Sequence, residues 1–257
     1  MPVVEGVEPI PYVSDNADSG LRILSQRNTF RETILDEHRI TLTCQPPFPP
    51  AIEEAARLLQ SGSLAILPTD TVYGVCASIR DDEAVRGIYA AKGKGPQAPL
   101  QLLFADVNGV FDEFATPSPV AARLVDALGP GGWTIIVTAV AGWTSPALAG
   151  GSTVGFRVPN ASVVRDVVRA LGFPLAASSA NRHGGPSPTT CGDAVAQVGE
   201  ACAIALDDGP TPAGLDSTVI DCSTDEVRIL REGAIDRHTI ARILGLNHIP
   251  VLRSVRP

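Results

Sequence analysis

Residues 65–75 read AILPTDTVYGV, and the reading of this stretch decides the fold. The apolar run Leu64 to Leu67 has the length and composition of a buried strand, and Pro68 ends it. Thr69, Asp70, Thr71 and Tyr73 then crowd three hydroxyls and a carboxylate against the strand's end, before a turn at Tyr73-Gly74. Open α/β sheets place ligand sites in this way, in the crevice beyond their strand ends.

Outward from that point, short apolar runs alternate with amphipathic ones. LAIL, PLQLLF, WTIIVTAV, TVGFRV, PLAAS, CAIAL, STVID and VRILR predict strands, and HRITLT at 38–43 an earlier one. AIEEAARLLQSG, DDEAVRGIYAA, SPVAARLVDALG, ASVVRDVVRALG, TTCGDAVAQVG and DRHTIARILG predict helices, with Ser118-Pro119 as a cap and first-turn pair and Gly62 as a stop. The alternation predicts an α/β domain whose helices cover a partly parallel sheet. With no dividing linker, one domain is expected over 41–257. Residues 1–40, polar and without sustained periodicity, read as an N-terminal arm, partly disordered or draped over the domain.

Composition narrows the function. Of 257 residues, 44% are hydrophobic and 19% charged, which suits a folded globular chain. A formal net charge of −8 argues against non-specific nucleic-acid binding. Five scattered cysteines without a CxxC pair predict small core residues rather than disulfides or zinc ligands. No apolar run reaches membrane-span length and no leader is recognisable at the N-terminus, so a cytoplasmic location and no membrane partner are expected.

Five polar clusters fall at strand or helix ends: PTDTVYG; Lys92-Gly-Lys94-Gly-Pro; GSTVGFRVP; SSANRHGGPSPTT; and GLDSTVID with LREG. Each alone fits a cap, a turn or a solvated face. Together, two lysines and two arginines can neutralise a polyphosphate, while hydroxyls and backbone amides cradle its oxygens. The P-loop pattern, GxGxxG, HExxH and GxSxG are all missing, and the four histidines lack metal-ligand spacing, so no metal ligands are expected. His183 reads as solvated.

The ordered series PTDTVYG, K-x-K-x-P before PL, PGGWT, TVGFRVP, SSAN with PSPT, G-x-DSTVID and ILREG resembles the YrdC-like family of threonylcarbamoyl-AMP synthases, over roughly residues 45–245. The resemblance implies a single twisted mixed sheet flanked by helices, with a large concave basic groove. It implies a nucleotidyltransferase that joins L-threonine, bicarbonate or CO2 and ATP, with Mg2+, into threonylcarbamoyl-AMP and pyrophosphate. Its product would serve tRNA threonylcarbamoyladenosine modification, with tRNA or the downstream threonylcarbamoyl transferase complex as candidate partners. Carried over by motif, Thr69, Arg157, Ala177 and Ser217 are expected to bind the amino acid. Lys92, Thr153, Ser179, Asn181, Ser187 and Arg231 are expected at the nucleotide, and Lys92, Lys94 and Arg231 to stabilise charge in the reaction. Lys94 stands where the family usually has arginine, Leu103 where it often has histidine, and Trp133 where a smaller residue is usual. Those departures admit two alternatives: a paralogue that makes a carbamoyl-adenylate or adenylates another small acid, and a non-catalytic RNA-binding module.

Overall fold

The computed structural model describes residues 22–24, 49–93, 95, 98–108, 110–116 and 118–251. The strand expected at 38–43 and Lys94 lie outside these residues. Strand β1 is Arg22–Leu24, followed by helix α1, Pro49–Gln60, and strands β2, Leu64–Leu67, and β3, Gly74–Ser78. Helix α2, Asp82–Ala91, leads to β4, Gln101–Leu103, then α3, Val110–Glu113, and α4, Pro119–Leu128. Strands β5, Trp133–Thr138, and β6, Thr153–Arg157, precede α5, Ser162–Leu171, and β7, Leu175–Ser179. Helix α6, Cys191–Val198, β8, Cys202–Leu206, β9, Thr218–Asp221, β10, Arg228–Arg231, and α7, Arg237–Leu244, complete the order.

All ten strands join one mixed sheet in the order β1-β8-β2-β3-β7-β4-β6-β5-β9-β10. The expected single mixed sheet with flanking helices is therefore present. Segment 22–24, read from sequence as part of an arm, adds a parallel edge strand to β8. Strand β3 is absent from the predicted strands, its first residue falling in the expected turn; it pairs antiparallel with both β2 and β7. All five of its residues are buried, so it carries no alternation by which to recognise a strand.

Local chemistry sets the helix boundaries. Ser118 Oγ accepts from the Ala121 amide with Pro119 in the first turn, and Asp81 accepts from the Glu83 and Ala84 amides ahead of α2. Gly62, just beyond α1, sits at φ +88°, where a Cβ would meet the Asp81 carboxylate at 2.7 Å.

Side chains alternate across the sheet and divide the core in two. Ile66, Val75, Leu102, Trp133, Phe156 and Ala176 pack on the face covered by α2, α4, α6 and α7. Ala65, Leu67, Cys76, Leu103 and Leu175 pack on the other face, beneath α1 and α5. That helix pair covers only part of its face. Beyond it, over β7, β4, β6, β5 and β9, the sheet floor is open. Cys76, Cys191, Cys202 and Cys222 are buried free thiols, as expected of small core residues, and burial pushes Cys202 and Cys222 up to about 12. Among the described residues no helix is long and apolar enough to cross a membrane.

Candidate active site

A cavity of about 290 Å³ occupies the uncovered floor. It is lined by Thr71 and Val72 after β2, Gln101 of β4, Thr134 and Ile136 of β5, and Thr153, Gly155 and Arg157 of β6. Ala177, Ser178 and Ser179 of β7, Asp216, Ser217 and Val219 around the start of β9, and Arg231 of β10 close it. Small residues keep the floor low: Gln101 lies in register between Gly155 and Ala177.

The strand-end cluster that opened the reading anchors the site more than it lines it. Thr69 Oγ1 accepts from the Thr71 and Val72 amides and lies 2.6 Å from the Val72 carbonyl, so its hydroxyl closes its own turn. Tyr73 is buried, its hydroxyl 2.6 Å from the Gly209 carbonyl and 3.0 Å from the Asp207 carboxylate. Burial, with Asp207 adding to it, pushes the phenol far above its ordinary range. Asp70 and Thr71 hold Arg157. Its Nη2 donates to Asp70 Oδ1 at 2.6 Å, Nη1 to Thr71 Oγ1 at 2.8 Å, and Nε to the Gly131 carbonyl at 2.9 Å. Only 2% of the residue is exposed. Burial works against its charge and Asp70 restores part of it. Three of the five guanidinium N–H groups are used among the described residues, leaving two for the cavity that Arg157 lines.

Opposite, a hydrogen-bonded series crosses the wall. Arg231 donates from Nε to the Ser217 carbonyl at 3.1 Å and from Nη2 to Ser217 Oγ at 3.2 Å. Ser217 Oγ lies 2.8 Å from Thr134 Oγ1, which donates to Gln101 Oε1 at 2.7 Å. Asp216 faces Arg231 at 3.6 Å and accepts from Ser187 Oγ at 3.1 Å. Gly233 supports this wall closely, since a Cβ there would reach the Asp216 carbonyl oxygen at 2.2 Å. Arg231 is half-exposed, whereas Arg157 is buried.

Lys92 caps α2 and reaches across to the segment after β7. Its Nζ donates to the Ser179 carbonyl at 2.5 Å, the Asn181 carbonyl at 2.8 Å and Asn181 Oδ1 at 3.2 Å. Burial pulls the lysine down to about 8 against the opposing field of Asp216. Asn181 also accepts from Ser179 Oγ and donates to the Arg182 and Gly185 carbonyls, fixing the loop.

Of the residues singled out from sequence, Arg157, Thr153, Ala177, Ser179, Ser217 and Arg231 meet on the cavity wall. Lys92, Asn181 and Ser187 stand one contact behind it, and Thr69 is held within its turn. Leu103 packs beneath α1 and α5, away from the cavity. Trp133 is fully buried on the opposite face, with Nε1 donating to the Gly129 carbonyl at 2.7 Å and its ring edge-on to Phe156. Its bulk therefore points away from the site, and its neighbour Thr134 faces it. His183 is exposed. Sequence reasoning assigned no role to Gln101, Thr134 or Asp216. Thr134 stands in the quoted PGGWT and Asp216 in DSTVID, but a strand amide or hydroxyl looks structural until its neighbours are known.

The Sua5/YciO/YrdC family model, described as "Telomere recombination", matches residues 57–233. The chain belongs to this family. It is 35% identical over 202 residues to the threonylcarbamoyl-AMP synthase of Bacillus subtilis, spanning 78% of this chain but only 58% of that protein. A Mycobacterium tuberculosis relative, given the same name provisionally, is 32% identical over 196 residues, 76% of this chain and 90% of its own. The solved structure of Pyrococcus abyssi Sua5 complexed with L-threonine shares the fold with a TM-score of 0.76 at 26% identity, covering 91% of this chain and 62% of that one. This family member thus spans under two thirds of the Bacillus and Pyrococcus proteins.

Proposed function

We propose that this chain condenses L-threonine, bicarbonate or CO2 and ATP into L-threonylcarbamoyl-AMP with release of pyrophosphate. The observation that carries the reading is convergence: hydroxyls and two arginines from PTDTVYG, PGGWT, GSTVGFRVP, SSAN, DSTVID and LREG meet on one sheet floor, in a chain whose relatives bear the synthase name. The arrangement suits a reaction that asks for positioning and charge stabilisation more than for acid–base groups.

The threonine amine adds to CO2, forming an N–C bond and releasing a proton; bicarbonate reaches the same carbamate with loss of water. A carbamate oxygen attacks the α-phosphorus, and the bond to pyrophosphate breaks as the new P–O bond forms. Arg157 supplies its two remaining N–H groups to the threonine carboxylate, with Ser217 and the Ala177 backbone beside it. Arg231, Thr153, Ser179, Ser187 and the Lys92 ammonium meet the nucleotide, and Asn181 shapes the loop beneath it. Lys94 adds a second ammonium for the phosphates. Mg2+ bound to the nucleotide's phosphates would neutralise charge on the leaving pyrophosphate; among the described residues no cluster of carboxylates, imidazoles or thiolates is placed to hold the ion itself. The adenylate then passes to the transferase complex that modifies tRNA in the cytoplasm.

Incubation with ATP, radiolabelled bicarbonate, Mg2+ and each amino acid in turn, followed by nucleotide chromatography, tests the reading. Label is expected in an adenylate with L-threonine. Label with a different amino acid, or no labelled adenylate from well-folded protein, overturns it.

A further inference from the structure

Gln101 lines the cavity without a task in the proposed reaction. Gln101 stands on the floor between Gly155 and Ala177, and its amide oxygen accepts from Thr134 Oγ1 at 2.7 Å. Thr134 has a single hydroxyl proton, so donating it to Gln101 obliges Ser217 to donate to Thr134 across their 2.8 Å contact. Ser217 in turn accepts from Arg231 at 3.2 Å. The series therefore has one polarity, from Arg231 through Ser217 and Thr134 to Gln101. It ends with the Gln101 oxygen occupied and both amide N–H groups without a partner among the described residues, in a cavity that Gln101 itself lines.

Two oriented neutral donors match a neutral acceptor. The charged fork of Arg157 is the better match for a carboxylate. Ile136 and Val219, on the same wall, offer apolar contact. A side chain that carries one hydroxyl and one methyl satisfies both surfaces.

We propose that Gln101 is a specificity-determining residue, donating from its amide nitrogen to the side-chain hydroxyl of the amino-acid substrate. This rests on the synthase reading and deepens it. A site built to pair a substrate hydroxyl leaves its own polar group unpaired when the hydroxyl is missing, and so rejects the deoxy analogue. The chain then prefers L-threonine over L-2-aminobutyrate and valine through Gln101.

The test compares kcat/KM for L-threonine, L-2-aminobutyrate and valine in wild type, Gln101→Met and Gln101→Glu. Gln101→Met removes the donors at similar volume and is expected to cut the threonine preference on the order of tenfold, with KM for ATP little changed. Gln101→Glu keeps an oxygen for Thr134 but replaces the donors with an acceptor, and is expected to lose threonine use at least as severely. A residue that merely braced Thr134 would tolerate that change. An unchanged preference in Gln101→Met, or wild-type behaviour in Gln101→Glu, overturns the role of Gln101 while the synthase reading stands. Wild-type protein that forms no adenylate with any amino acid overturns both.

Discussion

Strand β4 crosses two environments within three residues, on one face of one sheet. Leu103 lies beneath α1 and α5, fully buried among Leu67, Val164, Leu175 and other apolar side chains. Gln101, two residues earlier and so on the same side, faces the open floor beside Thr134, Arg157 and Arg231. What separates core from cavity is the reach of a helix pair, not a change in the sheet. A position matters to substrate only where that cover ends. The amino acid at position 103, a departure from the family pattern, therefore bears on stability, and the side chain at 101 bears on recognition.

The sharpest way to break this comparison is at Arg157, which belongs to both environments. Arg157→Met strands the Asp70 carboxylate that the guanidinium pairs at 2.6 Å, so a loss of about 3–5 kcal/mol is expected in urea unfolding, together with loss of adenylate formation. A variant that unfolds within about 1 kcal/mol of wild type would show that the buried pair holds nothing together. Leu103→Ala should cost about 2–5 kcal/mol through the cavity it leaves, while KM for both substrates stays put. A selective rise in KM for the amino acid would move Leu103 into the site and dissolve the contrast.

Arg231→Ala inverts that pattern. Its ion pair with Asp216 is half-exposed and worth under about 1 kcal/mol, but the rate of adenylate formation should fall about 100-fold. A rate within threefold of wild type would remove it from the reaction. The smallest effect concerns pH. Lys92 titrates near 8 in the folded chain, below its ordinary 10.5. Between those values the unfolded chain holds the proton and the folded chain does not, so this lysine's contribution makes stability rise with pH across that window. Its charge is lost over the same window, so KM for ATP should climb several-fold from about pH 7.5 to about pH 9.5 in wild type. Lys92→Met should show a raised but flat KM; a parallel climb in that variant would assign the titration to another group.

Most of the architecture was legible because apolar runs and capped helices speak for themselves, as LAIL, WTIIVT and Ser118-Pro119 do. Strand β3 was not, since GVCAS is buried on both faces and begins with the glycine of a Tyr-Gly pair that reads as a turn. Short β1 and α3 give too little pattern to register. In the site, cations stood out because an arginine inside TVGFRVP needs a reason. Gln101 and Thr134 did not, because their meaning comes from register: only strand pairing sets a β4 amide beside a β5 hydroxyl and a serine from the start of β9. Thr69 was conspicuous for its hydroxyl, which in the fold closes its own turn.

Lys92 ties the end of α2 to the loop after β7 twice, through its ammonium and through its carbonyl, which accepts from the His183 amide at 2.8 Å. Helix end and loop thus form one mechanical piece. If phosphate draws the ammonium away, the strain falls on the carbonyl link that remains among the described residues. Deuterium uptake at the His183 amide would then report occupancy of the site without a label on any ligand.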